Sequence, residues 1–127
     1  MKEIIAFIRP GKAKATKQKL GEQGFIPYTE MRALGRGKQV GLHYPEAEGN
    51  ALPFGISFLP KCMLTIFVND EEVKPVMDIL AASNRTGDIG DGKIFVCPAE
   101  DAIRIRTDER GSKALSVAEE RDINAAV

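Results

Sequence analysis

The run Thr86-Gly87-Asp88-Ile89-Gly90-Asp91-Gly92-Lys93-Ile94-Phe95-Val96 constrains the fold more than any other stretch of the chain. Upstream of it, Val73, Val76, Met77 and Leu80 recur at the i, i+3, i+4, i+7 spacing of one helix face. Downstream, residues 93–97 read as a strand that is apolar after Lys93. A helix must therefore stop, pass through a loop with three glycines, and enter a sheet. Glycines free the backbone to turn successive N–H groups toward a single anion, and Lys93 adds a positive charge at the same point. The loop reads as a phosphate site, with a plain glycine-rich turn as the alternative.

The rest of the chain supplies the partners of that unit. Residues 3–9 are β-branched and apolar and read as a central strand ended by Pro10-Gly11. Residues 12–23 are rich in good helix formers, with a thin apolar stripe of Ala13, Thr16 and Leu20, and Gly24 suits the cap. Residues 27–39 predict a second strand and 62–69 a third. Between them, residues 40–57 mix Gly, Pro and Asn without a period, a long loop of the kind that usually carries function. Asn69 or Asp70 caps the helix, with Glu71 and Glu72 at its positive end and Pro75 awkward one turn in. Residues 102–107 alternate, which predicts a strand with Ile103 and Ile105 on one face and Arg104 and Arg106 on the other. The tail from about residue 110 is polar and is expected to fray, or to fold on assembly.

The order β-α-β-(long loop)-β-α-β is the ferredoxin-like split βαβ arrangement, an α+β sandwich. It occupies residues 1–110 as one domain, followed by a tail at 111–127. Two helices cover one face of such a sheet. The strands are apolar enough at Ile5, Phe7, Met63, Leu64 and Phe67 that self-association is the simplest cover for the other.

Composition excludes several classes. Lys+Arg and Asp+Glu both number 18, so the total charge argues for neither nucleic acid nor anionic membrane. Residues 1–41 nonetheless carry +6 and the remainder −6, which reads either as solvated helix faces or as an anion site drawing on Arg36 and Lys38. No apolar run spans a membrane and no signal-peptide pattern is seen, so a cytoplasmic protein is expected. Cys62 and Cys97, each in an apolar run, are expected as buried free thiols. His43 is the only histidine, and no Cys/His spacing suits zinc.

No catalytic constellation emerges, so an enzyme is not expected. From Gly87 to Lys93 the letters fit G-x-x-x-x-G-K, but Ile94 stands where a Ser or Thr should hold Mg²⁺, and the loop opens a strand rather than a helix. It is thus a phosphate loop outside the P-loop nucleoside triphosphatase class. Asp88 and Asp91 read as caps for loop N–H groups more readily than as acid–base groups. Lys38, Lys93, Arg104 and Arg106 supply cations, and arginine's planar fork suits phosphate oxygens. Without further information, Arg104 and Arg106 are equally well read as surface arginines paired with carboxylates.

Five ordered blocks now carry a resemblance: Met1-Lys2-Glu3-Ile4-Ile5-Ala6, Gly35-Arg36-Gly37-Lys38-Gln39, Phe58-Leu59-Pro60-Lys61, the glycine run, and Ile103-Arg104-Ile105-Arg106-Thr107. The chain resembles the PII signal-transduction proteins, trimeric regulators of nitrogen metabolism. The resemblance implies a T-loop at about 38–60 and a nucleotide site for ATP or ADP between subunits. Gly35, Gly37, Lys38, Gln39, Gly87, Asp91, Gly92 and Lys93 would serve it from one subunit. Arg104 and Arg106 would reach the phosphates from the neighbour. Phe7, Thr29, Thr65 and Phe67 would line the base and ribose. It further implies Mg²⁺ between the phosphates and 2-oxoglutarate, with Gln39 as a ligand and Lys61 pairing with a 2-oxoglutarate carboxylate.

Lys38 departs from the family's arginine, the T-loop differs in length and content, and no tyrosine matches the one some members use for uridylylation. Tyr44 and Ser57 are read as unmodified loop residues. The blocks, together with Val96-Cys97-Pro98-Ala99-Glu100-Asp101-Ala102, are similar to the nitrogenase-associated branch. Its members inhibit nitrogenase component 1, are released by 2-oxoglutarate with ATP, and work with a second PII-like subunit. The alternatives are a PII protein acting on an ammonium transporter, a nitrogen-assimilation enzyme or a transcription regulator, and a PII-like sensor of another metabolite. A small nucleotide hydrolase and an RNA-binding module rank lower, the latter because the aromatic RNA-binding pattern is missing.

Overall fold

The computed structural model describes residues 1–36 and 58–116. Four strands and two helices follow in chain order: β1 Lys2–Ile8, α1 Ala13–Glu22, β2 Thr29–Gly35, β3 Leu59–Val68, α2 Val73–Asn84 and β4 Lys93–Pro98. They form one antiparallel sheet in the order β2-β3-β1-β4. β1 and β2 are not neighbours; β3 lies between them, which is the ferredoxin-like split expected from the sequence.

Strand register sorts the residues into two faces. Ala6 pairs with Leu64 and Ile94, and Ile4 with Ile66 and Val96. These point to the helices. Ile4, Ala6, Ile8, Leu64, Ile66 and Val68 are buried there against Leu20, Val76 and Leu80. Each large aliphatic side chain so buried contributes roughly 1.5–3 kcal/mol. The helix stripes fall where periodicity put them: Ala13, Thr16 and Leu20 in α1, Val76 and Leu80 in α2. The opposite face carries Ile5, Phe7, Met31, Met63, Phe67 and Phe95 by the same register. Leu64 belongs with the core, so one member of the expected open face is reassigned by the parity of its strand.

Local chemistry explains the boundaries. Gly24, at φ 84°, closes α1. Its N–H reaches the Gly21 carbonyl at 3.0 Å and the Phe25 N–H reaches Leu20 at 2.9 Å, the paired bonds of a Schellman cap. Before α2, Asp70–Glu72 form a tight 3-10 turn, so Pro75 falls in the first turn of the α-helix, where its missing N–H costs little. The Glu72 carboxylate reaches back to the Asn69 N–H at 3.2 Å. Inside, the Asn84 amide bridges the Thr16 hydroxyl (3.0 Å) and the Leu80 carbonyl (2.9 Å), tying α2 to α1.

Three expectations change. Residues 102–107 do not extend the sheet; Ala102–Gly111 fold back as a small hairpin, with Arg104 N–H on the Glu109 carbonyl and Gly111 N–H on Ala102. Ile105 is therefore 94% exposed rather than packed on a face. The expected frayed tail is ordered at its start, where Gly111–Leu115 make a short 3-10 turn. Cys62 is buried as expected, whereas Cys97, near the end of edge strand β4, is only half-buried. The strand ends also shift, since β2 begins at Thr29 and β3 already at Leu59. His43, Tyr44, Ser57 and most of the T-loop lie outside the described residues. Among those described, no helix is long and apolar enough to cross a membrane.

Candidate functional site

The glycine run folds into a loop braced from within. The Asp91 carboxylate accepts the N–H groups of Thr86 (2.8 Å) and Gly87 (3.0 Å) and the Thr86 hydroxyl. Arg9, at the end of β1, donates to Asp91 (2.5 Å), to the Thr86 hydroxyl (3.3 Å) and to the Ile89 carbonyl (3.1 Å). The Thr86 bonds first, and the Arg9 guanidinium with them, hold the Asp91 carboxyl well below the usual carboxylate range. Asp91 thus caps the loop, and the Gly87 N–H is committed to it. Arg9 was not singled out in the sequence; its place directly after an apolar strand was the only signal.

Gly87, Gly90 and Gly92 all have positive φ, at 90°, 103° and 103°. Gly92 is further constrained by space: a Cβ there would lie 1.8 Å from the Phe7 carbonyl oxygen. This close approach presses the loop against β1 and sets Lys93 at the head of β4.

Two clefts open on the sheet face that the helices leave bare. The first, of about 610 Å³, is lined by Phe7, Gly35, Arg36, Leu59, Lys61, Ile89, Gly90, Gly92, Lys93 and Phe95. Among the described residues its charged lining is Arg36, Lys61 and Lys93, three cations without a carboxylate. Lys61 donates to the Gly90 carbonyl at 2.8 Å. Burial, and then the Arg9 guanidinium, lower the Lys61 ammonium pKa, with Asp91 opposing. Phe7 and Phe95 meet edge to face at 6.2 Å and give the cleft an aromatic wall. Chemically the arrangement suits an anion joined to a flat or apolar group.

The second cleft, of about 530 Å³, is lined by Pro27, Tyr28, Thr29, Thr65, Phe67, Arg104, Arg106, Ala114, Leu115 and Ser116. Among the described residues it shares no lining residue with the first. Phe67 lies six positions beyond Lys61 along β3, about 20 Å of extended chain. The residues expected at one site are therefore divided. Phe7, Gly35, Lys61, Gly92 and Lys93 gather in the first cleft, and Thr29, Thr65, Phe67, Arg104 and Arg106 in the second. Arg104 and Arg106 meet through the hairpin, not through a shared strand face. Gly87 and Asp91 stand behind the first cleft as its frame. Gly37, Lys38 and Gln39 lie outside the described residues.

Residues 1–109 match the model of the nitrogen regulatory protein P-II family. The chain belongs to that family. A Methanothermobacter marburgensis protein named "Nitrogen fixation nifHD region GlnB-like protein 2" is 45% identical over 121 residues, covering 91% of this chain and all of the relative. Its Methanococcus maripaludis namesake is 46% identical with the same coverage. "Nitrogen regulatory protein P-II 2" of Methanothermobacter thermautotrophicus is 42% identical over 115 residues, with 91% and 97% covered. The chain falls in the nitrogen-fixation branch of the P-II proteins, a family of signal-transduction regulators.

Proposed function

We propose that this PII protein senses ATP or ADP together with 2-oxoglutarate, and that it controls nitrogenase component 1 by docking its T-loop, residues 38–60. The observation that carries the proposal is the division of the expected ligand residues between two clefts. One chain cannot bring Lys93 and Arg106 to the same phosphate; two neighbouring chains of a trimer can, the first cleft of one facing the second of the next. The bare sheet face favours such assembly, with Met31, Phe67 and Phe95 52%, 47% and 48% exposed in the single chain.

The donor set suits the ligands. Arg36, Lys61 and Lys93 match a polyphosphate and a dicarboxylate, and the Phe7–Phe95 pair offers an apolar wall beside them. Among the described residues no His/Cys/Asp/Glu group could hold a metal by itself. Mg²⁺ would enter with the phosphates, as befits an ion that keeps few protein ligands, with Gln39 the residue to complete its shell. Nothing in this scheme requires bond chemistry from the protein. Ligands act by favouring one T-loop state over another, which demands different affinity for the two states.

The test is calorimetric titration of Mg-ATP into the full chain, with and without 2-oxoglutarate, beside native mass spectrometry. Each ligand should tighten the other equally, and the mass should be that of three chains, or of a mixed assembly with a second PII-like subunit. ATP binding with no 2-oxoglutarate effect would redirect the search to another metabolite. Capture of an ammonium transporter or an assimilation enzyme in place of nitrogenase would replace the target.

A further inference from the structure

The hydrogen bonds of Arg104 run against the phosphate-binding role expected of it. Its Nη1 donates to the Glu109 carboxylate at 2.7 Å. Its Nη2 points at three main-chain carbonyls of the following turn: Lys113 and Ala114, each at 3.4 Å, and Ser116. Those carbonyls belong to a folded segment, since the Ser116 hydroxyl in turn donates to the Lys113 carbonyl at 2.8 Å. Ala114, Leu115 and Ser116 also form one wall of the second cleft, opposite Thr29, Thr65 and Phe67. The Arg104 side chain is left only 19% exposed.

We infer that Gly111–Ser116 is an internal strap that holds Arg104 and that a nucleotide phosphate must displace. The inference rests on the proposed nucleotide site and adds a regulatory part to it. A carbonyl offers a guanidinium a partial charge. A phosphate oxygen offers a full one and can accept from the guanidinium fork in a bidentate way. The exchange is therefore favourable, but the strap subtracts its own bonds from the affinity for phosphate. Arg106, in the same cleft, has no such strap contact among the described residues. The two arginines thus act in sequence, with Arg106 ready at once and Arg104 joining after release.

The experiment uses the full chain and its Gly111→Ala variant, titrated with ATP and separately with adenosine. Gly111→Ala puts a side chain on a left-handed backbone (φ 63°), which strains the strap without a clash, and among the described residues Gly111 lines neither cleft. Tighter ATP binding by the variant, roughly tenfold, with adenosine affinity unaltered, would support the strap. Equal or weaker ATP binding by the variant would overturn it while leaving the nucleotide site intact. If neither chain binds ATP, the nucleotide reading fails and the strap with it. A second measurement needs no variant. Hydrogen exchange in Gly111–Ser116 of the wild-type chain should quicken on adding ATP, and slower exchange there would also overturn the inference.

Discussion

At the residue scale, Gly92 and Asp91 do most to shape the loop. Gly92→Ala would drive a Cβ to 1.8 Å from the Phe7 carbonyl oxygen at φ 103°, so backbone must move. We expect a loss of about 2–4 kcal/mol in urea denaturation. Gly11→Ala, with nothing within 4 Å of its Cβ, should stay within about 0.5 kcal/mol of wild type. Asp91 makes a pH prediction. Its folded-state pKa is depressed, so its contribution is fully present above the ordinary carboxylate pKa of about 4. That contribution is lost only as pH falls below that value toward the folded pKa. Stability measured from pH 7 to pH 2 should drop in the acid limb, and Asp91→Asn should be less stable at pH 7 with a shallower acid limb. The two thiols also differ. Burial first, and the adjacent Glu30 carboxylate at 3.5 Å second, push Cys62 up to about 11. An alkylating reagent at pH 8 should label half-buried Cys97 well before Cys62, as read by peptide mass spectrometry.

At the element scale, legibility followed the range of the forces involved. α2 could be read because Val73, Val76, Met77 and Leu80 repeat with the helix and nothing local competes. Leu80 is 1% exposed, so Leu80→Ala should cost about 2–5 kcal/mol by chemical denaturation. The strands were found within a few residues, their ends depending on pairing partners distant in sequence. The 102–107 stretch misled because Ile-Arg-Ile-Arg has the period of a strand while its side chains have better partners nearby. The Glu109 carboxylate accepts from Arg104 at 2.7 Å and from the Thr107 hydroxyl at 2.7 Å, and Asp108 takes a turn conformation at φ 64°. Short-range bonds of this kind replace a sheet ladder and leave no periodic trace. The candidate site was legible as a set of residue types, because glycines and cations announce themselves. Its division into two clefts was not, since that depends on which end of the sheet each strand delivers. Arg9 was missed for the same reason, its partners lying about 80 residues away.

At the scale of the whole molecule, the bare sheet face governs behaviour. Met31 sits there on the outermost strand, half exposed in the single chain. Met31→Asp should leave the fold intact by circular dichroism yet give a monomer on light scattering, because a buried unpaired charge costs several kcal/mol at an interface. That variant should also lose ATP affinity, although Met31 lines neither cleft. The two clefts share no residue among those described. A chain carrying Lys93→Ala is damaged in one half-site and a chain carrying Arg106→Ala in the other, so on the proposed assembly either homogeneous preparation is deficient at every site. Unfolded together and allowed to reassemble, the two defective chains would place an unmutated first cleft against an unmutated second cleft in every mixed ring. Two inactive proteins would then restore each other by complementation, at one site in three.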